Sequence, residues 1–405
     1  MSAITAATDA PATPAPHKQW YDPCLQVRFL GYPCEHHTAR TADGFLLDVI
    51  RIPPKAANAT STYPVILQHG LFDSSNAWVA NYHAYQSLAC VLHDAGYDVF
   101  MPNSRGNHYS LNNTNYAPYT SRAKDLMYWQ MVDVDEMAAF DVPACVDLAI
   151  AMQPPGGAKT VSWVGHSQGN YIAFAAFSQF PVVGRKVDRL FALGPTAFVG
   201  YAGGVAPDPN STKAQQMDAF IALLRSVEAK GQILSLLEDD YFVHQFSAFC
   251  PYLGELCSMF LNIITGYSPL SNFNVSQMPS MTRFEPGGTS VSNLIHWVQA
   301  FVTGDFGMHD FGPATNKRFY NQTTPPQWPI AQIATDVVLF MSATDTMATP
   351  TCVAKTVSQM PHDRVVATYV VDNFNHLDFT WAVNAHTVVY PNLLAELAKM
   401  RAARH

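Results

Sequence analysis

Charge is scarce in this chain. Of its 405 residues only 13% are Asp, Glu, Lys or Arg, while 48% are hydrophobic. Disordered chains show the opposite balance, so a mainly disordered protein is excluded. Basic residues are the scarcer charge: 23 Lys and Arg stand against 31 Asp and Glu, for a net charge of −8. A polyanion binder needs a basic surface, which argues against nucleic acid as a partner. Long apolar runs are missing too. The richest stretch, Leu253 to Leu270, is interrupted by Glu255, Asn262, Gly266 and Pro269. A bilayer takes roughly 20 consecutive apolar residues, so no transmembrane segment is expected. There is no C-x2-C pair, no GxxxxGK[ST] loop, no GxGxxG after a strand and no HExxH. Zinc-ribbon, phosphate-loop, dinucleotide and zinc-protease chemistry lose their usual signals. His36 and His37 are adjacent on a strand pattern and point to opposite faces, so they do not share a metal. No metal or organic cofactor is implied.

The N-terminus, MSAITAATDAPATPAPHK, lacks the basic start and leucine-rich core of a secretory signal. Residues 1–20 read as a disordered lead-in rich in Ala, Thr and Pro. Either the usual secretory route is not used or the true start lies outside this sequence. Cysteine numbers seven: Cys24, Cys34, Cys90, Cys145, Cys250, Cys257 and Cys352. Cys24 with Cys34, and Cys250 with Cys257, are spaced for small-loop disulfides, with free thiols as the alternative. Cys90 and Cys145 lie on apolar helical patterns and are expected to be buried thiols. N-x-[ST] triplets at Asn58, Asn112, Asn210, Asn274 and Asn321 lean towards the secretory pathway.

What is present is alternation. EHHTART, a turn at Asp43-Gly44 and FLLDVIRI form a hairpin pattern. PVILQHG is a short apolar run ending at Gly70, as a buried strand does. Helical spacing over His83 to Ala95 stops at Gly96, and YDVFMP follows as a strand. Asp133 to Met152 is helical, with Pro143 marking a break or a new first turn. TVSWVG, NYIAFAAFSQF and RLFALG read strand, helix, strand. The alternation lapses from about Thr196 to Pro329, where helical stretches (Ala214 to Glu228, Val291 to Phe301) are joined by Gly, Pro and Asn-rich connectors. It returns with DVVLFMS, CVAKTVSQM, VVATYVV and a final helix from about Leu377. The expected fold is α/β, with a mostly parallel central sheet flanked by helices. Residues 21–195 and 330–405 form its core, and 196–329 insert above the strand ends.

The sharpest motif is Gly165-His166-Ser167-Gln168-Gly169, a G-x-S-x-G at a strand-to-helix junction. That context pushes the Ser167 hydroxyl out of a tight, strained turn. A serine hydroxyl is a poor nucleophile at neutral pH and needs a histidine base fixed by a carboxylate. In this arrangement acid and base follow later strands, in the order Ser, acid, His. His376 lies in the polar turn after VVATYVV, whereas His362 precedes that strand, His386 is on the last helix and His405 is terminal. Asp345 lies in the loop after DVVLFMS; Asp336 is at the wrong end of it, and Asp372 or Asp378 are the alternatives. Asp378 could instead brace or cap. The oxyanion of the tetrahedral intermediate needs two N–H donors. Gln168, first in the helix, and Leu71, after PVILQHG, are the candidates.

These segments resemble one family. GYPCEHHTARTADGFLLDVIRIP, VILQHGLFDSSNAW, SLACVLHDAGYDVFMPNSRGN, DEMAAFDVPA, VGHSQGN, PGGTSVSNLIHWVQA and NFNHLDFTWA together resemble the acid lipases of the α/β-hydrolase fold, the group of gastric and lysosomal acid lipases. The resemblance implies Ser167 as nucleophile, Asp345 as acid, His376 as base, and Leu71 and Gln168 as oxyanion donors. It implies a cap and lid over an acyl cavity, a cap disulfide between Cys257 and Cys250, an N-terminal pair of Cys24 with Cys34, and a secreted or lysosomal/vacuolar location. The implied substrate is a neutral-lipid ester, such as a triacylglycerol or steryl ester, met at a lipid–water interface. Steryl ester hydrolysis or acyl transfer on the same fold is the nearest rival; a non-catalytic lipid carrier is a more distant one. MFLNIITGY and NLIHWVQAF, with Trp297 and Phe301 four apart, are apolar enough for a lid or for plain packing onto the core. Full protonation of the 15 histidines with ionised carboxylates would carry the net charge from −8 to +7, the basis for expecting activity in mild acid.

Overall fold

The computed structural model describes residues 22–55, 62–116, 118, 121–201, 207–208, 210–236, 265–269, 272, 277, 281 and 285–402. The expected lead-in and the Cys250–Cys257 pair lie outside them.

One sheet gathers the apolar runs too short for helices together with the polar strands β1 and β5: β1 (Glu35–Arg40), β2 (Phe45–Ile52), β3 (Pro64–Gln68), β4 (Asp98–Pro102), β5 (Asn112–Asn113), β6 (Val161–Ser167), β7 (Val187–Pro195), β10 (Asp336–Met341) and β11 (Val365–Val370). The spatial order is β1-β2-β4-β3-β6-β7-β10-β11, with β5 against β2. Contacts from β4 through β11 are parallel, while the β1–β2 hairpin joins antiparallel at one edge. Because successive side chains leave opposite faces, one strand feeds two apolar layers. Trp163, Leu190, Ala192, Val337 and Leu339 pack on one side with Tyr171, Phe174 and Phe177 of helix Gln168–Gln179. Val164, Phe191, Leu193, Val338 and Phe340 pack on the other with Phe379, Tyr390 and Leu393. Burying both faces explains why these strands read as continuous apolar runs.

Two expected helices are divided. Asp133 to Met152 becomes Val134–Glu136, a wide π turn over Met137–Asp141, and Val142–Ala151. Pro143 has no N–H to give to the preceding turn, and the break aims Asp141 at Arg105, whose Nε bonds its Oδ1 at 2.8 Å. The final helix is three pieces: Asp378–Trp381, Ala385–Val388 and Tyr390–Ala402.

Between β7 and β10 the chain leaves the sheet. Its described parts include helix Thr212–Ala229, the short pair β8 (Ser235–Leu236) and β9 (Thr289–Ser290), and helices Val291–Thr303 and Pro313–Phe319. Helix Val291–Thr303 seats Trp297 and Ala300 in the main core. Beside them His296 donates from Nδ1 to Asp133 Oδ1 at 2.7 Å and from Nε2 to the Gly307 carbonyl at 3.0 Å. Asp133 Oδ2 takes His309 Nδ1 at 2.8 Å. With oxygen acceptors at both ring nitrogens, His296 is an imidazolium. Burial opposes that charge, but the Asp133 and Asp135 carboxylates outweigh it and push the pKa up to about 9.

A raised histidine stabilises the fold fully below its unfolded value of about 6.5 and ceases to do so as the pH rises through the folded one. Thermal melts are therefore expected to show stability falling between about pH 6.5 and pH 9 and beyond. His296→Gln should melt lower at pH 6 and lose less over that window. Breaking one side of a buried ion pair costs about 3–5 kcal/mol; equal melting curves for the two proteins would refute the clasp.

Candidate active site

No linker separates β6 from the helix that follows. Ser167 ends the strand, Gln168 begins helix Gln168–Gln179, and Ser167 turns the corner at φ 53° and ψ −120°. Such a conformation costs a non-glycine residue about 1–3 kcal/mol, so its surroundings must enforce it. The flanking glycines show how. A Cβ on Gly169 would strike the Gln68 carbonyl oxygen; on Gly165 it would strike Asn170 Oδ1. The turn is closed so tightly that neither flanking position admits a side chain.

Three further loops converge there. After β3, a Cβ on Gly70 would sit 3.1 Å from Ser167 Cβ, so the Gly70–Leu71 backbone runs against the serine. After β10, Asp345 Oδ1 accepts the N–H groups of Met347 and Ala348, each at 2.8 Å. Its Oδ2 accepts Nδ1–H of His376 at 2.8 Å. After β11, His376 is fixed at both ends of its backbone: its N–H bonds the Thr265 carbonyl at 2.9 Å, and its carbonyl takes His166 Nε2–H at 2.7 Å. His376 is 4% exposed and Asp345 2%. His376 Nε2 is buried with no hydrogen-bond partner, an arrangement tolerated when the free lone pair has a task.

β7 supplies the floor. The β6–β7 register slips between His166/Leu193 and Ser167/Pro195, leaving Gly194 as a bulge at φ 53°. A Cβ on Gly194 would stand 3.0 Å from His376 Nδ1 and Cε1 and 3.3 Å from Asp345 Oδ2. The imidazole–carboxylate pair thus rests on a bare backbone.

The alternatives fall elsewhere. Asp336, at the start of β10, pairs with Arg364 at 3.1 Å. Asp372 and His362 are exposed. Asp378 Oδ2 accepts the Asn375 N–H at 2.8 Å and braces the His376 loop without bonding the imidazole; burial raises its pKa to about 6. His386 bonds the Val383 carbonyl, and His405 lies outside the described residues.

Two buried histidines stay neutral. His69 Nε2 accepts the Ser104 N–H at 3.1 Å, so its proton is on Nδ1 and donates to the Gly70 carbonyl at 2.8 Å. Burial pushes its pKa down to about 4. Burial, with His376 adding to it, holds His166 at about 3. Neither gains charge in mild acid, which trims the charge reversal expected from composition.

Among the described residues, Asp133, His296 and His309 place potential metal-ligating atoms within 4.8 Å of one another, all buried. Their contacts of 2.7 and 2.8 Å are hydrogen bonds; two ligands of one tetrahedral zinc stand about 3.3 Å apart. The set fits protons better than a metal. A cavity of about 600 Å³ opens between helices Thr212–Ala229 and Val291–Thr303, lined by Asp218, Arg225, His296, Asp305 and Asp310 among others. None of Ser167, Asp345 or His376 lines it, and its charged wall is unlike an acyl pocket.

Cys24 and Cys34 form a disulfide, while Cys90, Cys145 and Cys352 are buried free thiols. Gly194, His166 and Thr265 were not anticipated from sequence. Gly194 alone had a signal, a glycine closing an apolar strand. Gly194→Ala is expected to lower kcat on the order of tenfold to a hundredfold with the fold retained, because displacing a reacting group by a fraction of an ångström is costly. Steady-state kinetics beside a melting curve will read this; an unchanged kcat would show that the imidazole does not depend on the bulge.

Known proteins agree with this architecture. Family models described as a partial alpha/beta-hydrolase lipase region and as the alpha/beta hydrolase fold match residues 26–82 and 63–221. Human gastric triacylglycerol lipase is 33% identical over 381 residues, covering 92% of this chain and 90% of that protein. Mouse lipase member K is 34% identical over 377 residues, covering 91% and 88%. A soluble variant of monoglyceride lipase from Saccharomyces cerevisiae superposes with a TM-score of 0.52 at 13% identity, over 91% of this chain and 95% of the other, a likeness of fold. With a third of its residues shared over nine-tenths of its length, the chain belongs to the acid lipase family of α/β-hydrolases.

Proposed function

We propose that this protein is a serine lipase that hydrolyses carboxylic esters of neutral lipids, triacylglycerols first among them, at a lipid–water interface. The observation that carries the reading is the state of His376. Asp345 holds its Nδ1–H at 2.8 Å, which leaves Nε2 as the basic nitrogen, buried and unbonded, at the strand ends where Ser167 is presented. Ser167 attacks the ester carbonyl while His376 Nε2 takes its proton. Asp345 stabilises the imidazolium. The N–H groups of Leu71 and Gln168 receive the oxyanion; the Gln168 amide is one of the four that a helix N-terminus leaves without an intrahelical acceptor. His376 returns the proton to the leaving alcohol. Water, deprotonated by the same nitrogen, then releases the fatty acid from Ser167.

Residues 196–329 are assigned as the cap and lid over the core of 21–195 and 330–405. The substrate class rests on kinship with gastric triacylglycerol lipases. The Cys24–Cys34 disulfide, and the exposed sequons at Asn112, Asn210 and Asn321, suit an oxidising secretory or lysosomal compartment. No helix among the described residues is long and apolar enough to cross a membrane.

An alkyl phosphonate that reacts with activated serine should label wild-type protein at Ser167 and abolish hydrolysis of emulsified triacylglycerol. Ser167→Ala should take no label and retain at most about a thousandth of the activity. Parallel assays on cholesteryl oleate read the choice between triacylglycerol and steryl ester. Folded protein without a Ser167 adduct, with and without detergent to open a lid, would overturn the proposal.

A further inference from the structure

An oxyanion hole made of backbone N–H groups is only as good as the orientation of two peptide planes. A peptide is planar and trans, so its N–H and C=O point in opposite directions. Whatever grips the carbonyl end therefore aims the amide end. The Gly70–Leu71 plane is gripped by His69 Nδ1–H, 2.8 Å from the Gly70 oxygen, and by the Asp73 N–H on the same oxygen at 3.3 Å. The Ser167 carbonyl, at the N-cap of helix Gln168–Gln179, opens the intrahelical ladder, and one side chain grips it besides. Thr196 Oγ1 donates to the Ser167 carbonyl at 2.7 Å. Thr196 is 1% exposed and follows directly on β7, two residues beyond the Gly194 bulge that seats His376.

We propose that Thr196 is a positioning residue for the reaction: by holding the Ser167 carbonyl, its hydroxyl aims the Gln168 N–H at the developing oxyanion, as His69 does for the Leu71 N–H. The inference rests on the reading of Leu71 and Gln168 as oxyanion donors. Its physical basis is independent of any ligand. Ser167 sits at φ 53°, a conformation from which the peptide after it would relax if nothing held the carbonyl. The strand beside it cannot do so in a regular way, because the β6–β7 register slips between His166 and Ser167. The Thr196 hydroxyl adds a bond from just beyond the end of β7. The alternative, that Thr196 merely satisfies a buried carbonyl, predicts a stability effect and no selective effect on the chemical step.

Thr196→Val keeps shape and volume and removes the hydroxyl; Thr196→Ser keeps the hydroxyl. On a soluble short-chain ester, Thr196→Val is expected to lose roughly tenfold to a hundredfold in kcat with KM within about twofold. Loss of a whole oxyanion donor costs about 100- to 1000-fold, and misaiming one costs less. The rate of phosphonate labelling at Ser167 should fall by a similar factor, since that adduct uses the same two donors. Thr196→Ser should recover most of both. Wild-type kcat and labelling in Thr196→Val, or a loss that Thr196→Ser does not recover, would overturn the proposal. Should Thr196→Val fold poorly, as a melt will show, His69→Gln is the second arm: the proposal requires the same kcat-selective loss there, and a loss confined to KM refutes it. Failure of the wild-type protein to label at Ser167 would instead refute the lipase reading.

Discussion

A serine forced to a positive φ between a strand and a helix is the constraint on which the site depends. No serine adopts that turn for its own sake, so the neighbourhood over-determines it. Gly165 and Gly169 yield the space, the Gln68 carbonyl and Asn170 fill it, and Thr196 pins the peptide that follows. Around this fixed point the other loops need only arrive, and a parallel sheet delivers them: β3, β6, β7, β10 and β11 run the same way, so Leu71, Ser167, Gly194, Asp345 and His376 all emerge at one edge. Positions far apart in sequence are gathered by topology.

Electrostatics divides the histidines by what surrounds them. His69 and His166 are buried among groups that accept or give single hydrogen bonds, and desolvation keeps them neutral. His296 is buried as deeply but faces carboxylates and keeps its charge. Both outcomes suit a site that must not change its wiring as the pH drops. The hydrogen bond from His69 to Gly70, and that from His166 to His376, need an imidazole with one proton on a known nitrogen. Burial secures this down to a pH well below that at which a surface histidine charges.

Much of this was legible in the amino-acid sequence. Each sheet strand expected from an apolar run is present, and the central ones, buried on both faces, leave an unbroken signature. The Ser, Asp and His of the site could be chosen by position relative to those strands, and the structure brings Asp345 and His376 together at 2.8 Å. What sequence did not reveal depends on contacts between distant backbones. The Gly194 bulge exists because β6 and β7 slip register, and no local pattern encodes a register. The grip of Thr196 on Ser167 spans 29 positions. Pro143 did mark the break within 133–152, but not the wide turn over Met137–Asp141 or the Asp141–Arg105 bond beside it. The apolar segment MFLNIITGY falls mostly outside the described residues, so its reading as lid stands on sequence. Trp297 and Phe301 do pack onto the core.

The segment between β7 and β10 is more than a cover. Gln168 Oε1 accepts Trp297 Nε1–H at 2.7 Å and Asn293 Nδ2–H at 3.0 Å, so helix Val291–Thr303 holds the side chain of the residue that follows Ser167. The Thr265 carbonyl holds the His376 N–H. The Gly287 N–H bonds the carbonyl of Phe72, itself at φ 60°, directly after Leu71. Beside that contact Glu285 Oε1 accepts the Ser74 hydroxyl at 2.5 Å, and burial raises the carboxyls of both Asp73 and Glu285. The loop after β3 is thus joined to the inserted segment by the Phe72–Gly287 and Ser74–Glu285 hydrogen bonds. Each wall of the site has one foot in the sheet and one in the insertion. Helix Val291–Thr303 and residues 285–288 therefore belong to the frame of the site as much as the sheet does.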